Sequence, residues 1–306
     1  MTKIKYIHCF GTSFTAGGGF EFNSPVPGLD NILKSNYYYI GEEQTQFNYS
    51  YPGQLQKFVG NNITVFNHAR QGYGNDRMYR IFYDIINEDE FKKEENLFLF
   101  EFAGLGRKEY FLNPLQKYCT INWQHDYSDK HPFIKKALNT KNFAKLKGTS
   151  TYYNYENQES WSFLHDNNDF FEKYVEYFVN FDVEFKKLTM ESEFFCYYIQ
   201  NKNFNFLLTR PPTISEYDTT KEIKFGDGTY FSISEDFVEF SYKNKLTIKD
   251  ETNGRLGDLH NGFKSNKLVS HIIYNRLVDD GYVSLPKNEI DWGWYKDIKF
   301  INTKIL

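Results

Sequence analysis

Residues 4–10, Ile-Lys-Tyr-Ile-His-Cys-Phe, form a short apolar run that stops abruptly at Gly11, and Thr12 and Ser13 follow. A run of aromatic and β-branched residues bounded by glycine predicts a buried strand that ends in a turn. A serine in such a turn carries its hydroxyl at the carboxyl end of the strand, where backbone N–H groups can face an oxyanion. The stretch therefore predicts the first strand of an α/β fold and a first candidate for chemistry.

Further strands and helices alternate along the chain. Apolar runs predict strands at 63–66, 97–102 and 204–208, and helical spacing predicts helices at 51–58, 76–86, 167–200 and 265–278. This alternation predicts a mostly parallel sheet that is covered by helices on both faces. Segments at about 17–49, 105–165 and 213–253 show little periodicity. We expect them to be large insertions in a single domain that spans residues 1–306.

Composition argues against several classes of protein. The 306 residues include 36 basic and 40 acidic side chains, so a formal charge of −4 gives no general reason to bind nucleic acid. No apolar stretch approaches the ~18 residues of a membrane span, and the first residues lack a signal-peptide pattern. Cys9, Cys119 and Cys196 are widely spaced, which favours buried thiols over disulfides or a thiolate metal site. We therefore expect synthesis in a cytoplasm and no membrane partner; a protein later built into a virus particle would look the same.

Several candidate residues follow predicted strands or precede the last helix. Ser13 follows the first strand, Gly72 the second and Arg107 the third, while Asp258 and His260 stand in the final loop. Ligands of parallel sheets bind outside the carboxyl ends of the strands. We therefore expect these residues to meet at one edge of the sheet.

A serine hydroxyl needs a base before it can act as a nucleophile. His260 is the best placed of the seven histidines, because Asp258 stands two residues before it and could orient its ring. The alternatives are that Ser13 caps a helix, and that Asp258 starts one and leaves His260 in solvent. Neither motif is specific by itself.

Three blocks of the sequence resemble the SGNH, or GDSL-like, hydrolases. Residues 11–17, Gly-Thr-Ser-Phe-Thr-Ala-Gly, are similar to the first block, although Thr12 stands where the family usually has Asp. Residues 67–78, Asn-His-Ala-Arg-Gln-Gly-Tyr-Gly-Asn-Asp-Arg-Met, resemble the second block in the form of phage and environmental members. Asp258-Leu259-His260 resembles a shortened final block.

The resemblance implies a three-layer α/β/α, flavodoxin-like fold. It also implies that Ser13 is the nucleophile, that Asp258 and His260 form its base system, and that Gly72 donates to an oxyanion. The third block departs from the pattern, because residues 103–109 read Ala-Gly-Leu-Gly-Arg-Lys-Glu and lack the usual Asn. Arg107 or Asn75 could replace that donor; without a replacement the lost donor would cost ~3 kcal/mol of transition-state stabilisation.

The function that this resemblance implies is ester hydrolysis through an acyl-enzyme, with no metal and no organic cofactor. The aromatic residues of the insertions favour a carbohydrate ester, such as an O-acetyl sugar, over a long lipid chain. Two alternatives stay open. One is a weakly active or inactive module for binding or assembly, for example in a viral particle or a homo-oligomer. The other is a sugar O-acyltransferase, which shares the serine chemistry and differs in its acceptor.

Overall fold

The computed structural model describes residues 4–18, 47–70, 73–104, 107–114, 116–122, 177–178, 181–210, 244–251 and 260–284, together with 173 and 241. In chain order the helices and strands are β1 (Tyr6–Phe10), α1 (Ser13–Ala16), α2 (Tyr51–Val59), β2 (Thr64–Asn67), α3 (Asn75–Ile86), β3 (Asn96–Glu101), β4 (Arg107–Leu112), β5 (Lys117–Asn122), α4 (Phe181–Asn201), β6 (Asn205–Arg210), α5 (Ile248–Glu251) and α6 (Phe263–Asp279).

The main sheet has four strands in the order β2-β1-β3-β6. All three strand pairs are parallel, and in the centre of the sheet Ile7 of β1 stands between Val65 of β2 and Leu97 of β3. This order agrees with the flavodoxin-like arrangement, in which the first strand lies between the second and the third. The prediction of a parallel sheet is confirmed, and the carboxyl ends of β1, β2 and β3 lie at one edge.

Helices cover both faces of this sheet. Alternate residues of a strand point to opposite faces, so Ile7 and Cys9 lie on one side and Phe10 on the other. The first side packs on α2 and α6 through a cluster that includes Tyr51, Leu55, Val59, Val269, Ile273 and Leu277. The second side packs on α3 and α4 through a cluster that includes Met78, Phe82, Ile85, Leu188, Cys196 and Ile199. The predicted three-layer α/β/α architecture is therefore confirmed.

The strand β3 explains why the run at 97–102 is apolar apart from Glu101. All of its residues are buried, because the helical layers cover both of its faces. On the α3 side, the Phe82 ring meets Phe98 and Phe100 edge to face, with ring centroids 4.9 and 5.6 Å apart. Aromatic pairs in this geometry stabilise the fold beyond the area that they bury.

The second predicted insertion contains an antiparallel hairpin that the sequence did not indicate. β4 pairs with β5 from Arg107 opposite Asn122 to Leu112 opposite Lys117. Each of these strands pairs only with the other among the described strands, so neither shows the long apolar run of a central strand. Most other residues of the three insertions, and the first part of the helix predicted at 167–200, lie outside the described ranges. The single-domain prediction is not tested.

Two further expectations concern cysteines and membranes. Cys9 and Cys196 are free and buried, as predicted, and burial raises the pKa of both thiols. Among the helices in the described ranges, none combines the length and the apolar character that a bilayer span requires.

Candidate active site

Ser13 is the first residue of α1, directly after the turn that ends β1. Its N-cap is Thr12, whose backbone is extended (φ −97°, ψ −157°), so the helix is not capped by Ser13. The turn closes quickly, because Gly17 adopts a left-handed conformation (φ 83°) and the Gly18 N–H donates to the Ser13 carbonyl at 2.5 Å. A side chain is strained in the left-handed region, which explains a glycine at position 17. The helix-cap alternative for Ser13 is therefore not what the structure shows.

His260 stands just before α6, on a segment that the backbone of residues 246–248 fixes. Its carbonyl accepts a hydrogen bond from the Ile248 N–H at 2.9 Å, and the Gly262 N–H donates to the Leu246 carbonyl at 2.7 Å. Asn261, between them, forms an antiparallel bridge with Thr247. The histidine therefore projects from a braced backbone, and its side chain is half-buried.

The side chains of Ser13 and His260 both lie next to Gly18. A Cβ atom placed on Gly18 would lie 3.0 Å from Ser13 Cβ and 3.1 Å from His260 Cδ2. These two atoms are therefore at most about 6 Å apart, a separation that rotation of the side chains can convert into a hydrogen bond. The His260 ring also packs on Phe14, with centroids 5.0 Å apart. The structure thus brings together the predicted nucleophile and base, which are separated by most of the chain.

Two predicted site residues, Gly72 and Asp258, lie outside the described ranges. The roles that the resemblance gives them, as oxyanion donor and as orienting carboxylate, stay predictions.

Asn75 opens α3 and is buried against the end of β3. Its Nδ2 donates to the Ala103 carbonyl at 3.2 Å, and its Oδ1 accepts from the Ala103 N–H at 2.7 Å. This pair of bonds fixes the backbone of the third block beside the second. Since an amide nitrogen carries two hydrogens, Nδ2 keeps a second hydrogen that an oxyanion could accept. Its role as the replacement donor stays a prediction.

Arg107 begins β4 and lies against the second block. A Cβ atom on Gly74 would be 2.3 Å from the Arg107 carbonyl oxygen, so only glycine permits this approach. Gly74 directly precedes Asn75, so this contact brings Arg107 of the third block next to Asn75 of the second. Both candidates for the missing donor therefore lie at one junction, where α3 begins and β4 starts.

Several charged residues in these two blocks, and Arg80 just after the second block, form structural contacts that sequence reasoning did not assign. Arg80 makes a paired hydrogen bond to Glu109, with Nε–Oε2 and Nη2–Oε1 distances of 2.8 and 2.9 Å. The Asp76 carboxylate accepts the Glu109 N–H at 2.9 Å. Lys108 lies 3.1 Å from a carboxylate oxygen of Glu191 on α4. These bonds join α3 and α4 to the hairpin, and they account for Lys108 and Glu109 without catalysis.

A histidine pair lies beneath the second block. The Asn96 Nδ2 donates to the Lys92 carbonyl, so its Oδ1 faces His8 Nε2 at 2.8 Å and requires a proton there. Burial favours the neutral form of both rings, and in that form His8 Nδ1 accepts from His68 Nε2, which is 2.9 Å away. Burial lowers the pKa of both, and the nearby His8, Arg77 and Arg70 help to bring the pKa of His68 to about 3.

We expect this pair to make the fold acid-labile. Unfolded histidine takes up a proton near its ordinary pKa of 6.5, whereas folded His68 resists protonation until about pH 3. The stabilisation is therefore complete above about pH 7 and is lost as the pH falls through 6.5, by about 2 kcal/mol at pH 5 for His68. Proton NMR of the ring C–H signals, assigned with His8→Gln and His68→Gln, should show no titration of His68 above pH 5 and a midpoint for His8 below 6.5. A midpoint near 6.5 for either ring would contradict this assignment of neutral tautomers.

Glu251 braces the segment that carries His260. Its carboxylate oxygens accept the N–H groups of Phe263 at 3.0 Å and Lys264 at 2.8 Å, in the first turn of α6. A Cβ atom on Gly262 would lie 2.3 Å from Glu251 Cδ, so the glycine admits the carboxylate. Burial raises the pKa of Glu251 to about 7 against the lowering effect of these N–H groups. The last turn of α5 thus caps α6 two residues after His260.

This raised pKa predicts a pH dependence opposite to that of the histidine pair. Since folded Glu251 binds a proton more tightly than its ordinary pKa of 4.5 allows, it stabilises the fold in acid and loses that contribution as the pH rises to 7. Between pH 5 and 8 the expected loss is on the order of 2 kcal/mol. Urea unfolding of wild type and Glu251→Gln at both pH values should show a difference that changes with pH. The histidine pair contributes equally to both proteins, so its effect cancels. A difference in the free energy of unfolding that is the same at pH 5 and pH 8 would refute the raised pKa of Glu251.

Comparison with known proteins adds one structural likeness. No family model matches the sequence, and no curated protein matches it significantly. A solved structure from Desulfitobacterium hafniense DCB-2, of a protein assigned to the G-D-S-L family of lipolytic proteins, aligns over 88% of this chain and 98% of its own. The two share 10% identity at a TM-score of 0.28. The fold assignment rests instead on the strand order, the parallel register and the two helical layers.

Proposed function

We propose that this protein is a serine ester hydrolase of the SGNH type. The observation that supports the proposal is the proximity of the Ser13 and His260 side chains beside Gly18, at the carboxyl edge of a parallel sheet. A hydroxyl at the start of a short helix, next to an imidazole on a braced loop, is the arrangement that nucleophilic catalysis requires.

In the proposed reaction, a ring nitrogen of His260 takes the Ser13 hydroxyl proton while Oγ attacks the ester carbonyl carbon. The carbonyl oxygen becomes an oxyanion, which accepts hydrogen bonds from the N–H groups of Ser13 and Gly72. The tetrahedral intermediate expels the alcohol, which takes the proton from His260, and leaves an acyl group on Ser13. Water then loses a proton to His260 and attacks the acyl carbon. The bond between the acyl carbon and Ser13 Oγ breaks, Oγ takes the proton back from His260, and the acid leaves.

The other predicted residues have supporting roles in this proposal. Asp258 orients the His260 ring and stabilises its charged form. Asn75 or Arg107 donates to the oxyanion in place of the missing Asn of the third block. The contacts of both residues at the α3–β4 junction support this choice, since they bring the third block against the second.

The substrate that we propose is an O-acetyl ester on a carbohydrate. The support is compositional: aromatic residues form 20% of the chain, and aromatic rings can stack on a sugar ring. The same acyl-enzyme could transfer its acyl group to a sugar hydroxyl instead of water, so a transferase would differ only in the acceptor.

A fluorophosphonate probe tests the nucleophile without knowledge of the substrate. Oγ of Ser13 would attack phosphorus, fluoride would leave, and His260 would take the hydroxyl proton. Intact-mass and peptide analysis should find one adduct per chain, at Ser13, in wild type and in Ser192→Ala. The latter removes a buried hydroxyl from α4, where it contacts the Tyr79 hydroxyl of α3 and not the Ser13 turn. Wild type without an adduct, or an adduct that persists in Ser13→Ala, would refute the proposal.

A further inference from the structure

Glu101 is a buried carboxylate that the proposed reaction does not use. It is the last residue of β3, next to the end of β1, and only 3% of it is exposed. The pairing of β3 with β6 shifts register between Phe100 and Glu101. A bulge of this kind re-aims the side chain that follows it. Here it directs a charged side chain at the turn that carries Ser13.

The Glu101 carboxylate binds the residues on both sides of Ser13. The Thr12 hydroxyl donates to Oε1 at 2.7 Å, and the Thr15 N–H donates to Oε2 at 3.0 Å. The Thr15 hydroxyl donates to Oε2 as well. Hydrogen bonds to a charged acceptor are stronger than neutral ones and are directional. Three such bonds therefore fix the backbone one residue before Ser13 and two residues after it.

Two further contacts hold the same turn. A Cβ atom on Gly11 would lie 2.5 Å from Glu101 Oε2 and 2.8 Å from its Cβ, so the carboxylate sits directly on the backbone where β1 ends. From the other side, Asn67 Nδ2 at the end of β2 donates to the Thr15 carbonyl at 3.1 Å. The turn is thus fixed from both strands that neighbour β1.

We infer that Glu101 is a positioning residue for Ser13: through Thr12 and Thr15 its carboxylate fixes the direction of the nucleophilic hydroxyl toward His260. The inference rests on the proposed function. It also accounts for the departure at position 12, where this chain has Thr in place of the usual Asp. The Thr12 hydroxyl donates to Glu101 on the neighbouring strand β3. The carboxylate at this turn is therefore supplied by Glu101 instead of by residue 12.

Glu101→Gln is the most direct variant, because it keeps the shape of the side chain and turns one acceptor oxygen into an amide donor. That donor would face a Thr hydroxyl or N–H. We expect the rate of phosphonylation of Ser13, and kcat for 4-nitrophenyl acetate, to fall about 10- to 100-fold, since small misplacements of a nucleophile have effects of this size. KM should stay within about twofold, because Glu101 does not touch the ester.

Thr12 provides a pair of variants that stays informative if Glu101→Gln does not fold. Thr12→Val removes the hydroxyl that binds Glu101 and should slow phosphonylation of Ser13. Thr12→Ser keeps the hydroxyl and should be phosphonylated at the wild-type rate. Ser192→Ala serves as the matched control, because it removes a buried hydroxyl elsewhere and should react like wild type. Circular dichroism and thermal unfolding confirm that each protein is folded at the temperature of the assay.

The outcomes separate this inference from the proposed function. The inference is supported if wild type is labelled, if Glu101→Gln or Thr12→Val is phosphonylated more slowly, and if Thr12→Ser is phosphonylated at the wild-type rate. Equal rates in wild type, Glu101→Gln and Thr12→Val overturn it and leave the proposed function standing. A wild type that is not labelled at all overturns both.

Discussion

Ser13→Ala and His260→Ala are each expected to lower kcat for 4-nitrophenyl acetate by at least about 10³-fold. Without Ser13 no acyl-enzyme can form, and without His260 the hydroxyl keeps its proton and remains a poor nucleophile. Binding of the ester depends on neither group, so KM should change much less. Steady-state assays with each variant, corrected for spontaneous hydrolysis, measure both constants.

The double variant distinguishes a catalytic pair from two separate defects. If Ser13 and His260 act in one step, the double variant should be about as slow as either single variant, because the second change removes nothing further. If the two losses multiply, the residues act independently and the proposed proton transfer is wrong. Ser192→Ala, which leaves the site intact, should keep the wild-type rate.

Gly11→Ala is expected to cause a large loss of stability, because position 11 lies against the buried carboxylate beside the site. The new Cβ would lie 2.4 Å from Thr15 Oγ1 and 2.5 Å from Glu101 Oε2, distances that force the buried network apart. Overpacking of this kind costs about 3 kcal/mol, and more where buried hydrogen bonds to a charge are broken. Urea unfolding monitored by circular dichroism gives the change in the free energy of unfolding.

Gly60→Ala is the matched control for this change. Position 60 has open space around it, with no atom within 4 Å of an added Cβ, but its φ is +68°. Its cost should therefore come from the backbone alone and amount to about 1 kcal/mol. A Gly11→Ala protein no less stable than Gly60→Ala would show that the carboxylate does not pack on the turn as described.

The sequence predicts the central layer of the fold well, for a physical reason. A strand that is buried on both faces is mostly apolar, so the run at 97–102, which is apolar apart from Glu101, strongly favours a central strand, and β3 is found there at Asn96–Glu101. Helices with one buried face are also predicted well, because their apolar residues recur at helical spacing. The spacing at 76–86 and 265–278 matches α3 and α6 within two residues at each end. Amphipathic periodicity depends only on neighbours in the chain, which the sequence supplies.

The contacts that arrange the candidate site are beyond such patterns. Thr12 and Glu101 are 89 positions apart, and nothing local in either segment indicates that one hydroxyl will bind the other's carboxylate. Glu251 likewise stands in a segment predicted as an insertion, yet its carboxylate caps α6. The proximity of Ser13 and His260 could be expected from the resemblance of their blocks to one family and from the rule that ligands bind at the carboxyl ends of parallel strands, not from local periodicity.

The distance between Ser13 Oγ and the nearer ring nitrogen of His260, measured in a crystal structure of the unreacted protein, tests the central claim most directly. The proposed proton transfer predicts a separation of about 2.6–3.2 Å, or a single water that bridges the two atoms. A ring held well beyond that reach, with its backbone fixed by the Ile248 hydrogen bond so that it cannot turn toward the hydroxyl, would contradict it.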